Sequence, residues 1–223
     1  MKYFLEACCT SAADAVTAQR SGAARIELCS SLDIGGVTPS EELIRETLQA
    51  LAEDANPAIP VNVLVRPRGG DFVYCEEEIQ QTIAGVEMCK RLCVNDSKGA
   101  KHRVNGVVIG ALRPDGGIDL EAMRRLVDAA RPLQVTFHRA FDECADVERG
   151  LEDVVSLGCE RLLTSGHEPD AFAGRFTLAR LVRQAAGRIV IMAGCGVRPH
   201  NIDAIAAASA APEFHSSTLA GWK

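Results

Sequence analysis

The chain has 223 residues, 47% of them hydrophobic, and 24 Lys and Arg against 30 Asp and Glu leave a net charge of −6. That length accommodates a substantial buried core, and the acidic balance without basic runs excludes a nucleic-acid or anionic-membrane surface. The opening MKYFLEACC is too short for a secretory apolar region and no later stretch approaches the ~20 apolar residues of a membrane span, so a cytoplasmic protein is expected. Nine cysteines, an odd number with no C-x-x-C among them, exclude complete internal pairing, a zinc ribbon and a thioredoxin-type site. Most are expected to be small core hydrophobes.

One unit repeats along the chain: a short apolar strand, a polar turn, an amphipathic helix. FLEACC (4–9) reads as the first strand. The helix SAADAVTAQRSGA follows, with Ser11 as its N-cap and Gly22 as its stop. RIELCS (25–30) is the second strand, and SEELIRETLQALAED the second helix, capped by Ser40 with acidic residues in its first turn. VNVLVRP (61–67) precedes EEEIQQTIAGVEMCKRLC. The polar, glycine-containing CVNDSKGAKHRV (93–104) reads as an exposed insertion before the strand GVVIGAL (106–112). DLEAMRRLVDAA, QVTFHRAF (134–141), DVERGLEDVVSLG, RLLTSG (161–166), RFTLARLVRQAAG and IVIMAG (189–194) continue the alternation. A last helix is expected from near Arg198 and Pro199, and EFHSS (213–217) is the eighth strand. The chain stops six residues later, so the eighth helix is expected to be missing or incomplete.

Strands separated by helices imply right-handed crossovers and a parallel sheet. Eight strands in this length fit a single α/β domain of the (β/α)8 TIM-barrel type. A doubly wound open sheet is the competitor. Even spacing favours the barrel, as do charged residues inside apolar strands, which a barrel lumen can hold.

In such a barrel the chemistry gathers at the C-terminal strand ends. Those ends carry Glu6 and Cys8, Glu27 and Cys29, Arg66 and Arg68 with Asp71, His138 with Arg139 and Asp142, Ser165, and His215 with Ser216 and Ser217. Any one of these charges is explained by a structural ion pair, such as Arg66 with Glu27 or Glu6. Gathering them all at one rim is costly without a use. An enzyme for a small anionic or phosphorylated substrate would use Arg66 and Arg68 as an anion clamp, with Asp71, Arg139, Asp142 and Ser165 around it. Gly194 and Gly196 of IMAGCGVRP, with the Ser216–Ser217 turn after His215, would hold a phosphate. His138 would be the general acid or base, with Glu6 or Glu27 as partner. LEAC and IELC repeat one another, and on adjacent strands about 4.8 Å apart Cys8 and Cys29 would present two sulfurs to each other. Such a pair is a soft site suited to Cu(I), or else two buried thiols without a ligand. Cys9 is expected to point the other way.

LEAC, GAARIELC, GGVTPS, RPRGGDF, VTFHRAFD, LTSG and FHSS run in order from Leu5 to Ser217. Together they closely resemble the CutC family, whose members are named as copper homeostasis proteins. The resemblance implies a cytosolic TIM-type barrel that self-associates as a homo-oligomer, a dimer or tetramer. It also implies copper, as Cu(I), on cysteines that fall by motif on Cys8 and Cys29. The implied partners are a copper ion or a small anionic ligand, with neither nucleic acid nor membrane. Two departures stand out: 93–104 is longer than the family pattern suggests, and the family continues past the eighth strand. Cysteine ligands explain LEAC and IELC but give no role to RPRGGDF or FHRAFD.

Overall fold

The structure is a computed structural model, and residues 2–217 are described. Short β-branched and apolar runs form β1 (Phe4–Cys9), β2 (Arg25–Leu28) and β3 (Val61–Leu64). After β4 (Cys93–Asn95) and β5 (Lys101–Arg103) come β6 (Gly106–Ile109), β7 (Gln134–Phe137), β8 (Arg161–Thr164), β9 (Val190–Ala193) and β10 (Glu213–Ser216). Eight of these strands, all parallel, close into a ring in the order β1, β10, β9, β8, β7, β6, β3, β2. The expected TIM-type barrel is what forms, with no open sheet edge in the ring.

Seven α-helices cover it among the described residues: α1 (Ala12–Arg20), α2 (Glu41–Glu53), α3 (Glu76–Arg91), α4 (Leu120–Ala130), α5 (Val147–Ser156), α6 (Arg175–Ala185) and α7 (Ile202–Ser209). Ser11 and Ser40 cap α1 and α2 as expected, accepting from the backbone N–H of Asp14 and Leu43. The question of an eighth helix falls on 218–223, outside the described residues. Among the described residues no helix is long and apolar enough to cross a membrane.

Strand alternation splits the chain's apolar residues into two sets. Leu5, Ala7, Cys9, Ile26, Leu28, Val61 and Val63 point outward into the main core beneath the helices. Cys8, Cys29, Leu64 and Val108 form a separate small cluster within the lumen. Cys9 therefore does point away from Cys8.

Several boundaries differ from those expected. Strands expected to run to residues 30, 67, 112, 141 and 166 end at 28, 64, 109, 137 and 164, because their charged and glycine-bearing ends leave the ladder to form loops. His138 shows why: its Nδ1 accepts the backbone N–H of Ala140 at 3.2 Å, and residues Arg139–Glu143 coil into a 3-10 turn. The stretch 93–104 is a hairpin in which β4 and β5 pair antiparallel, its turn tied by the Asp96 carboxylate accepting from the N–H of Lys98 and Ala100. Finally, α7 begins at Ile202 rather than near Arg198, because the Asn201 Oδ1 accepts the Arg198 N–H and makes 198–201 a turn.

Candidate active site

The barrel register decides which lumen side chains meet. Glu6 lies level with Arg25 on one side and His215 on the other. Cys8 lies level with Glu27, and Glu27 with Asn62. Low in the lumen this produces a closed charge network. Arg25, 2% exposed, bonds Glu6 through Nε and Glu213 through Nη2, the latter at 2.5 Å. Glu213 also receives Arg161 at 3.1 Å, Arg161 reaches Gln134 at 2.7 Å, and Asn62 donates to Glu6 at 3.3 Å. Every charge in this layer faces an opposite one, which is the condition for burying it.

One level higher, the Nδ1 of His215 lies 2.9 Å from Glu6 Oε1 and 3.3 Å from Glu27 Oε2. Glu6, Glu27 and His215 thus form a compact cluster in which one polar side-chain atom of each lies within 4.8 Å of the others. Its members differ in protonation. Burial favours the neutral Glu6, but the His215 hydrogen bond and the Arg25 charge outweigh it and hold the carboxyl at about 2. Burial pushes Glu27 up to about 7; Glu6 adds to this, while His215 and Arg25 oppose it. Burial disfavours the His215 imidazolium, yet Glu27 and Glu6 more than compensate and raise its pKa. An acidic group near neutrality beside a fixed ion pair is the usual setting of acid–base chemistry.

Above the cluster opens a cavity of about 720 Å³, lined by residues from many βα loops, among them Cys8, Glu27, Arg66, His138, Arg198 and His215. Two of the residues that line it each have a buried side-chain nitrogen without a partner. His138 is 5% exposed, and its Nε2 is buried and unbonded. Arg66, also 5% exposed, donates through Nη1 to Gly35 O and Gly36 O and through Nη2 to Gly70 O at 2.5 Å, but its Nε has no partner. Among the described residues neither Arg66 nor Arg198 forms an ion pair. Burial, with the charges of Arg66 and Arg139, lowers His138 to about 3, so its ring is neutral near pH 7.

On the same wall as Glu27, Cys8 and Cys29 place their sulfurs 3.6 Å apart. The neighbouring Cys29 thiol, burial and the Glu27 charge all push Cys8 far above the ordinary thiol range. Cys8 is therefore a thiol rather than a thiolate when nothing is bound.

The CutC family model matches residues 3–220. The chain belongs to the CutC family. A CutC relative from Parabacteroides distasonis is 48% identical over 217 residues, covering 97% of this chain and 83% of the relative. One from Xylella fastidiosa (strain Temecula1) is 47% identical over 213 residues, covering 96% and 74%. The solved CutC structure from Streptococcus agalactiae, named for copper homeostasis, has a TM-score of 0.87 at 30% identity over 97% of this chain and 99% of that one. A phosphonopyruvate hydrolase structure, at a TM-score of 0.63 and 13% identity, shows the shared barrel fold alone.

This CutC-family barrel brings together Cys8, Glu27, Cys29, Arg66, His138, Arg139, Asp142, Gly196, His215 and Ser217 around the cavity. The others expected there take different places. Glu6 lies below the cavity floor, since it precedes Cys8 by two residues and so sits one layer deeper. Arg68 and Asp71 pair with each other at 3.0 Å, and Arg68 also holds Glu78, so they brace the outer loop rather than clamp a ligand. Ser165 is buried and donates to Glu168 O at 2.6 Å. Ser216 points outward and donates to Val197 O, as strand alternation from His215 requires. Gly194 packs against Leu163. Asp142 reaches the cavity but is already bonded by Thr164 Oγ1, by Ser165 N–H and by Arg139 at 2.8 Å. The expected pair of Arg66 with Glu27 or Glu6 does not form; Arg25 holds Glu6 and loop carbonyls hold Arg66. Arg25, Glu213 and Arg161 were not among the expected site residues because they open their strands, Asn62 because it is an uncharged second residue of β3, and Arg198 because it lies beyond the glycines of its loop.

Proposed function

We propose that this CutC-family chain is an enzyme that performs acid–base chemistry on a small anionic substrate held in the barrel mouth. The observation that carries this reading is the cavity lining: two arginines without acidic partners among the described residues line the same space as Glu27 and His215. A lone ion needs no 720 Å³ cavity, whereas a small molecule does. Arg66 and Arg198 supply the charge that attracts the anion. Glu27, held by His215, supplies the titrating group, while Glu6 fixes His215 from below. Calorimetric titration with inorganic phosphate, oxalate and pyruvate tests the anion site. At least one should bind and be weakened tenfold or more by Arg198→Gln and by Arg66→Met. Absence of binding by all three, or binding indifferent to both changes, would refute the reading.

A second reading follows from the thiol pair. Two metal–sulfur bonds of about 2.3 Å span at most ~4.6 Å, so sulfurs 3.6 Å apart suit one soft ion between them. Cu(I) is the soft cation that thiolate pairs favour, and copper homeostasis in the name of the Streptococcus agalactiae relative supports that cargo. Cu(I) bound would replace the thiol protons of Cys8 and Cys29. Competition with a chromogenic Cu(I) chelator should give about one ion per chain, lost in the Cys8→Ser, Cys29→Ser double variant. Full stoichiometry in that variant would remove this reading and leave the enzymatic one untouched.

A further inference from the structure

The unpartnered nitrogen of His138 has a definite identity. Nδ1 accepts the Ala140 N–H at 3.2 Å, so in the neutral ring the proton resides on Nε2. That Nε2–H is the donor left without a partner. The ring cannot easily turn: a Cβ at Gly110 would meet Nδ1 at 2.5 Å, and the Phe72 and Phe137 rings pack at 5.0 and 6.0 Å. A buried N–H without an acceptor is destabilising by about 1–3 kcal/mol, which a ligand oxygen would relieve once a small shift of the cavity wall uncovers the nitrogen, closed off in the unliganded fold. The charged groups that bear on His138 are Arg66, from the end of β3, and Arg139, the next residue in the chain, and both are cations. A neutral imidazole between cations is a poor base and a good donor.

The carboxylate available to the same cavity is Glu27. Glu6 is committed to Arg25 and Asn62 below the floor, Asp142 is saturated, and Glu143 and Glu168 are exposed at the rim. A fixed neutral donor and a separate carboxylate, sharing one cationic cavity, match the needs of one reaction class.

We propose that the reaction is enolisation of a small carbonyl-bearing anion, with His138 Nε2–H bonded to the carbonyl oxygen and Glu27 removing a proton from the adjacent carbon. This rests on the acid–base reading of the same cavity. The C–H bond breaks and its proton passes to a Glu27 oxygen. Its electron pair forms a carbon–carbon double bond, and the carbonyl π pair moves onto oxygen. That oxygen is stabilised by the His138 N–H and the Arg66 charge. Return of the proton, to the same or the neighbouring carbon, completes the cycle. The substrate's own carboxylate or phosphate would lie against Arg198. The class is thus 2-oxo acids or phosphorylated hydroxyketones, each with a C–H beside the carbonyl.

The test is proton–deuterium exchange in D2O, followed by NMR, with pyruvate and dihydroxyacetone phosphate as the two probes. In parallel, binding of oxalate, a planar enolate mimic, is compared with that of malonate. One probe should exchange at least a hundredfold faster than without protein, identifying the anion type, and oxalate should bind at least tenfold tighter than malonate. His138→Gln and Glu27→Gln should each slow exchange by ~10²–10⁴-fold, while Glu27→Gln still binds inorganic phosphate. If anions bind but neither probe exchanges and oxalate shows no preference, enolisation is wrong and the broader acid–base reading stands. Exchange that survives both substitutions also overturns the assignment. If no anion binds, both readings fall.

Discussion

The lower and upper halves of the barrel lumen are both buried and both charged, yet they are built on opposite rules. Below, Arg25, Glu6, Glu213, Arg161 and Asn62 are bonded to one another, with Gln134 and His215 at the edges of the network. Above, His138 and Arg66 retain unbonded nitrogens, and Arg66 and Arg198 have no acidic partner among the described residues. His215 sits at the boundary, touching one carboxylate from each half. Burial of charge alone therefore does not mark a functional site; burial without a partner, in side chains that line a cavity, does.

Breaking the lower network should have the largest effect on stability. Arg25→Met leaves Glu6 and Glu213 buried without their shared cation, and about 3–5 kcal/mol should be lost in urea unfolding. A loss under ~1 kcal/mol would mean that the lower layer is not the structural half. The thiol pair comes next. Replacing Cys8 and Cys29 with serine buries two hydroxyls in an apolar cluster, and about 1–3 kcal/mol should be lost, with anion binding retained. His138→Gln should alter stability at pH 7 by about 1 kcal/mol, the worth of the Ala140 N–H bond to Nδ1, because Nε2 has no bond to lose.

The same variant sharpens the comparison through pH. In the unfolded chain a histidine titrates near 6.5, whereas in the fold burial, Arg66 and Arg139 lower His138 to about 3. The unfolded state thus takes up the proton first, and the stability from His138 is present above pH 6.5 and lost as pH falls toward about 3. Denaturation curves across that window should show His138→Gln gaining on the parent protein as the solution is acidified; parallel curves would contradict the lowered value. The smallest effect belongs to the outer loop, where Arg68→Gln should leave both the unfolding midpoint and anion binding at their parental values.

Much of this was legible in the sequence, and the reasons are local. Ser11 and Ser40 announced helix starts through backbone N–H groups a few residues away. Glu27, Arg66 and His138 stood out as charges interrupting apolar strands. LEAC and IELC placed their cysteines on one face by period-two alternation, and the sulfurs meet at 3.6 Å. The lower network was not legible, because Arg25 joins Glu6 and Glu213 across 19 and 188 residues, a meeting set by ring closure and register. RPRGGDF misled in part for a different reason. Arg66 continues β3 into the lumen, but the chain turns before Arg68, which then binds its own loop and α3.

The difference between the two halves is measured most directly on the histidine rings. In 15N NMR of the parent protein, His138 should remain neutral with its proton on Nε2 from pH 8 down to pH 5, while His215 should keep its second proton to a higher pH than a free imidazole does. A His138 that titrates near pH 6.5, or that carries its proton on Nδ1, would contradict the neutral, unpartnered donor on which the account of the cavity is built.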